Sequence, residues 1–191
     1  MKRHLVLVPV MIMLAAGLCL AAEEPKLEEG FVRWDTGKDL SGWYASTWSG
    51  KPVGEPVGWS VVDGAIHLDA QKSRSHLFSK KKFSPNCVIR LQYRASKGAD
   101  SGLCLHGKQF QLRDYPNSLA DTKKYAPFAK PPGQWNDLEL DATNGVVVIK
   151  LNGKMIEKAW KLGDDANRGL GLQKELGDFD FRRVRVREKA K

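Results

Sequence analysis

Residues 86–94 read Asn86-Cys87-Val88-Ile89-Arg90-Leu91-Gln92-Tyr93-Arg94. Cys87, Ile89, Leu91 and Tyr93 fall on one parity. Val88, Arg90, Gln92 and Arg94 fall on the other. Successive side chains of a strand leave opposite faces, so this run predicts a strand with one buried and one wet side. The same period recurs on either side of it. Trp59 to Val62, then Asp63-Gly64, then Ala65 to Leu68 is a hairpin closed by a two-residue turn. Val146 to Leu151, Asn152-Gly153 and Lys154 to Glu157 form a second. Leu103 to Gly107, Phe110 to Asp114, Trp135 to Leu140, Gly169 to Gln173 and Phe181 to Arg187 supply further strands. No long stretch has helical period. Roughly ten to twelve short strands at such spacing predict an all-β sandwich or barrel. Tyr115 to Gly133 is the one long irregular connection, and it holds Pro116, Pro127, Pro131 and Pro132.

The start of the chain reads differently. Lys2, Arg3 and His4 precede an uncharged apolar run from Leu5 to Leu20, and small residues lead into Glu23-Glu24-Pro25. This predicts a cleaved signal peptide over residues 1–22 and a secreted or periplasmic protein, soluble and off the membrane after cleavage. Residues 23–30 form a short extension, and residues 31–188 a single domain, expected as a monomer. The chain carries 31 basic and 22 acidic residues. Losing Lys2 and Arg3 leaves 29 against 22, a charge of +7. Export and the even spread of these charges exclude nucleic acid and favour an anionic glycan or cell-wall surface as partner. Cys87 and Cys104 are expected as free thiols, because their parities point Cys87 inward and Cys104 outward.

If Ile89, Leu91, Leu103, Leu105, Phe110 and Leu112 point inward, then Arg90, Gln92, Arg94, Cys104, His106, Gln109, Gln111 and Arg113 point outward. That set is expected to share one wet surface of amides and guanidinium forks, groups that hydrogen-bond sugar hydroxyls. Six tryptophans are present. Trp43, Trp59 and Trp135 sit in or beside apolar alternating runs and are assigned to the core. Trp48 lies in the polar segment Thr47-Trp48-Ser49-Gly50 and is the candidate for stacking on a sugar ring. The chain has no Gly-x-Ser-x-Gly, phosphate-loop or His-Glu-x-x-His signature. On the outward set the titratable candidates are His106, with Asp100 and Asp114 at strand ends.

Several short motifs, in order, carry a resemblance. Gly37-Lys38-Asp39-Leu40-Ser41-Gly42-Trp43, Trp59-Ser60-Val61-Val62-Asp63-Gly64, Ala99-Asp100-Ser101-Gly102-Leu103 and Ala129-Lys130-Pro131-Pro132-Gly133-Gln134-Trp135-Asn136 are four of them. Leu151-Asn152-Gly153, Gly169-Leu170-Gly171-Leu172-Gln173 and Phe181-Arg182 complete the series. Together they resemble the 3-keto-disaccharide hydrolase domain family across residues 30 to 188. The resemblance implies a two-sheet antiparallel jelly-roll sandwich of the concanavalin and LamG-like kind, and cleavage of glycosides already oxidised at C3. The family has Asn at the position of Asp100, Arg at that of His106 and Glu at that of Gln109, whereas Gln111, Asp114 and Lys130 fit its pattern.

The expected activity is therefore an exported 3-keto-glycoside hydrolase working by base-initiated elimination and hydration. His106 or Asp100 would be the base, and Lys130 would stabilise developing negative charge. Arg90, Gln92, Gln109, Gln111, Arg113, Asp114 and Trp48 would hold the substrate. A divalent cation is compatible with His106, Asp100 and Asp114, but no cofactor is assigned. Two other classes fit the same residues: a non-catalytic carbohydrate-binding module using this face, and a cell-surface interaction protein that takes no small ligand.

Overall fold

The structure, a computed structural model, describes residues 26–114 and 123–190. The signal peptide expected over residues 1–22 lies outside them. Thirteen strands occur among the described residues. They are β1 (Val32–Arg33), β2 (Trp43–Ser46), β3 (Trp59–Val62), β4 (Ala65–Leu68), β5 (His76–Ser79), β6 (Cys87–Ala95), β7 (Asp100–Leu105), β8 (Lys108–Arg113), β9 (Asn136–Thr143), β10 (Val146–Leu151), β11 (Lys154–Lys161), β12 (Gly171–Leu172) and β13 (Phe179–Glu188). A 3₁₀ segment, Lys123–Phe128, interrupts the long connection. No helix of the described residues is long and apolar enough to cross a membrane.

The strands form two antiparallel sheets, as the alternation and the resemblance lead one to expect. One has eight strands in the order β11-β10-β9-β6-β13-β4-β3, with β1 added to β13; the other runs β2-β5-β12-β7-β8. Their inner faces meet in one core. Ile89, Leu91, Tyr93, Leu138, Leu140, Phe179 and Phe181 come from the eight-stranded sheet, and Leu77, Leu103, Leu105, Phe110, Leu112 and Leu172 from the five-stranded one. Phe179 stacks between Tyr93 and Phe181, with ring centroids 6.2 and 5.7 Å away. All three are fully buried, and burying such side chains is the main favourable term in folding. Trp43 and Trp59 belong to this core as expected. Trp135 does not. It is half-buried outside the eight-stranded sheet, beneath the guanidinium groups of Arg94 and Arg182 at 4.8 and 3.9 Å.

The pairing corrects the single-surface expectation. β6 and β7 are consecutive in the chain, yet they lie in different sheets. β6 pairs along its length with β9 and β13, whose apolar parity matches its own. The turn after it then carries the chain across to the other sheet. Ser96 N donates to Asp178 O (3.0 Å), and the buried Asp114 carboxylate accepts from Gly98 N (2.8 Å). Arg90 and Gln92 therefore leave the outside of the eight-stranded sheet, and Gln109, Gln111 and Arg113 the outside of the five-stranded one.

His106 lies on neither outer face. With Gly107 it forms the two-residue turn between Leu105 and Lys108, at φ values of 50° and 84°. The comparable turns at Asp63-Gly64, Asn144-Gly145 and Asn152-Gly153 use the residues that tolerate this conformation best. At residue 106 the imidazole folds back over Phe83 with centroids 4.4 Å apart, and Nε2 lies 2.9 Å from Phe83 O. It is 2% exposed, so the outward placement is overturned.

Both described cysteines are free and buried. Cys104 does face away from the core, as its parity requires, but it is covered. Its Sγ lies 4.0 Å from Arg168 Nη1, and the Phe78 ring crosses the strand beside it. Burial raises both thiol pKa values and pushes Cys87 up to about 12. A thiol that stays protonated does not alkylate. Iodoacetamide at pH 8 should therefore leave Cys87 and Cys104 unmodified in the folded protein and label both in guanidinium, read by peptide mass spectrometry; rapid native labelling of Cys87 would place it outside the core. Phe181→Ala should cost about 3–5 kcal/mol in urea unfolding.

Candidate functional site

The outer face of the five-stranded sheet is built by register. Tyr44 pairs with Phe78, Phe78 with Gly171, Gly171 with Cys104, and Cys104 with Gln109. One rung along, Ser46 pairs with His76, Gln173 N donates to Gly102 O (2.8 Å), and Gly102 pairs with Gln111. Asp100 pairs with Arg113 on the next rung. Gly102 leaves room for what lies above it: a Cβ there would sit 2.8 Å from Gln173 Oε1 and 3.0 Å from Gln109 Nε2. The amides thus rest directly on the backbone of β7.

These side chains form one hydrogen-bonded row. Gln109 Nε2 donates to Gln111 Oε1 (2.5 Å) and to Gln173 Oε1 (2.7 Å). Gln111 Nε2 donates to Asp100 Oδ1 and to Ser101 O, the latter at 2.8 Å. Arg113 Nη1 donates to Asp100 Oδ2. Gln173 Nε2 reaches Glu175 Oε2 at 3.3 Å. Each amide is oriented by a neighbour, which is the preorganisation that a polar ligand site requires.

At the other end of the face stand Trp48 and His76, edge to face with centroids 5.1 Å apart. Lys174 N donates to His76 Nδ1 (3.0 Å), so the neutral imidazole carries its proton on Nε2. Burial pushes the His76 pKa down; Glu175 works against that shift and Lys174 with it. A cleft of about 920 Å³ opens here, lined by Trp48, His76, Arg74, Gln71 and Glu55 among others. Arg168 ties this end down: its Nη1 donates to Trp48 O (3.0 Å) and its Nε to Asp165 Oδ2 (3.0 Å).

Of the expected site residues, Asp100, Gln109, Gln111, Arg113 and Trp48 share this face. The others do not. Arg90 Nε donates to Glu139 (2.7 Å) and Gln92 Nε2 to Asp137 (2.7 Å) on the opposite sheet. Lys130 Nζ donates to Trp135 O (2.8 Å) and stands 3.8 Å from Asp137, on that same side. Asp114 braces the Gly98 turn, and His106 is packed on Phe83. His106, Asp100 and Asp114 therefore make no cation site, and among the described residues no group of three such side chains is placed to hold a metal ion. Gln173 and His76 were missed. Gln173 follows the Gly169-to-Leu172 run with the parity of an outward residue, and His76 opens an apolar run with the same parity; either signal was readable.

A row of amides with an arginine-held carboxylate thus lies on the outside of a two-sheet antiparallel jelly-roll sandwich. The chain belongs to the 3-keto-alpha-glucoside-1,2-lyase-like domain family, whose model matches residues 30–187. Among solved structures it is similar to a "putative glycosyl hydrolase" from Parabacteroides distasonis ATCC 8503, with TM-score 0.64, 19% identity, and coverage of 85% of this chain and 95% of that one. A second protein of the same description and organism gives TM-score 0.59 at 17% identity, covering 83% and 99%. Domain 4 of AbnA, a GH43 extracellular arabinanase from Geobacillus stearothermophilus in complex with arabinotriose, gives 0.53 at 15%, covering 84% and 92%. At these identities the likeness establishes the fold. No curated protein sequence matches.

Two outcomes follow. His106→Ala loses ring packing and puts alanine at a positive φ, so it should destabilise the fold by about 2–3 kcal/mol in urea, with a smaller loss in His106→Asn. For His76 the sign is that of a depressed histidine. Its neutral form contributes stability above pH 6.5, and that contribution fades as the pH falls through the lower folded value. Its NMR titration midpoint should lie below 6.5; a midpoint above that would mean the imidazole is solvated or paired with an acid.

Proposed function

We propose that the chain binds a sugar across the outer face of the five-stranded sheet and, as an exported enzyme, cleaves glycosides oxidised at C3, with Asp100 as proton acceptor. The observation that carries this reading is the row Gln173–Gln109–Gln111–Asp100–Arg113. It offers fixed amides for hydroxyl groups beside the carboxylate of Asp100, which Gln111 and Arg113 hold in place. A C3 ketone acidifies the C2 proton. Asp100 takes that proton, the C2–H electron pair forms the C1=C2 bond, and the C1–O bond breaks as the proton held by Asp100 passes to the departing oxygen, so that an alcohol leaves and the carboxylate is restored. Water then adds back, its oxygen to C1 and a proton to C2. A strong base is unnecessary once the ketone is in place; a positioned carboxylate contributes roughly 10²–10⁴-fold. Arg113, already donating to Asp100, places positive charge beside the developing enolate.

One observation favours a second reading, a binding module without turnover. Gln109 stands where the resembled family has Glu, and an amide cannot carry a proton between substrate atoms. Its Nε2 is instead committed to two neighbouring carbonyls.

Release of the aryl alcohol from aryl 3-keto-glucosides, and of glucose from 3-keto-trehalose, tests the proposal. The wild-type protein is expected to turn these over. Asp100→Asn should lower kcat by about 10²-fold or more with the fold intact. A silent wild type with an active Gln109→Glu variant would select the binding module. Turnover unaffected by Asp100→Asn would remove Asp100 from the chemistry.

A further inference from the structure

Resting on the sugar-binding reading of the amide row, we infer that Trp48 and His76 form a second sugar subsite, so that the ligand is an oligosaccharide lying across the strands. The argument begins with register. His76, Gln173, Gly102 and Gln111 follow one another across β5, β12, β7 and β8 on a single rung of the same face. Three strand spacings separate His76 from Gln111, about 14 Å. That distance exceeds one hexose ring, so a sugar held by Gln109 and Gln111 leaves the Trp48 end for a further unit of the same chain.

The Trp48 end has what such a unit needs. The cleft of about 920 Å³ there is large enough for a sugar ring and its substituents. Trp48 supplies an amphipathic ring for stacking, and it is held by its surroundings before any ligand arrives. Arg168 Nη1 takes its carbonyl, and the flanking loop closes on itself through Thr47 N to Lys51 O (2.9 Å) and Ser46 Oγ to Lys51 O (3.0 Å). His76 is fixed as an Nε2–H donor by the backbone bond to its Nδ1. Arg74 lines the same cleft, is exposed, and has no hydrogen-bond partner among the described residues. A stacking ring, a neutral imidazole donor and an uncommitted guanidinium around one hollow suit a ring bearing several hydroxyls.

The test is calorimetric titration with cello- and malto-oligosaccharides of two to five units. Wild-type protein should bind one of the two series with affinity rising about tenfold from dimer to tetramer. Trp48→Ala should flatten that rise to within about twofold, and Trp48→Phe should keep part of it, with thermal melts of both variants compared to exclude unfolding. Gln111→Ala should weaken every length alike. A wild-type affinity independent of length, or a rise that survives in Trp48→Ala, overturns the subsite and leaves the amide row standing. No binding of either series by the wild type also overturns the subsite, whereas normal binding by Gln111→Ala overturns the amide-row reading on which the subsite rests.

Discussion

The burial of one apolar parity of β6, β8, β9, β10 and β13 between two sheets fixes everything else in this molecule. Tyr93, Phe179 and Phe181 stack on one side of that interior, and Leu103, Leu105, Phe110 and Leu112 close it from the other. Once those side chains are inside, the alternate residues have no choice of direction. They must leave by one of two outer faces that never meet. A one-residue slip in β7 or β8 would drive Gln109 and Gln111 into the core and bring Leu103 and Phe110 to water, which is why the register is strongly held.

The two outer faces differ in kind. On the eight-stranded sheet the polar groups are spent on ion pairs: Arg90 with Glu139 and Glu28, Arg94 with Asp180, Lys150 with Glu139, Arg185 with Glu28. Partly exposed pairs of this sort contribute little each to stability. On the five-stranded sheet the pattern is amides in series between the carboxylates of Asp100 and Glu175, laid over Gly102, which lets them approach the backbone. Gln109 and Gln111 each commit both Nε2 hydrogens within the row, but Gln109 Oε1 and the second Nε2 hydrogen of Gln173 stay available, so such a row remains able to bind hydroxyl groups.

Much of this was legible in the residues. The Asp63-Gly64 and Asn152-Gly153 turns, the inward parity of Cys87 to Tyr93, and the membership of Asp100, Gln109, Gln111 and Trp48 in a polar set all follow from local pattern. What local pattern could not supply is which strand lies beside which. β6 takes β9 and β13 as neighbours, residues far along the chain, so Arg90 and Gln92 share their alternation with Gln109 but not their sheet. His106 was misplaced for another reason. Its parity was read as strand when it occupies a left-handed turn position, a place where Asn or Asp gives the clearer signal. Lys130 sits in a loop, where alternation has no force.

The central claim is that sugar lies on the amide row of the five-stranded sheet. The most direct measurement is NMR of the side-chain NH₂ groups and arginine Nε–H groups during titration with an oligosaccharide that binds. The account predicts saturable shifts at Gln109, Gln111, Gln173 and Arg113, and none at Gln92, Arg90 or Arg94. Shifts confined to Gln92, Arg90 and Arg94, with the amide row unmoved, would contradict it.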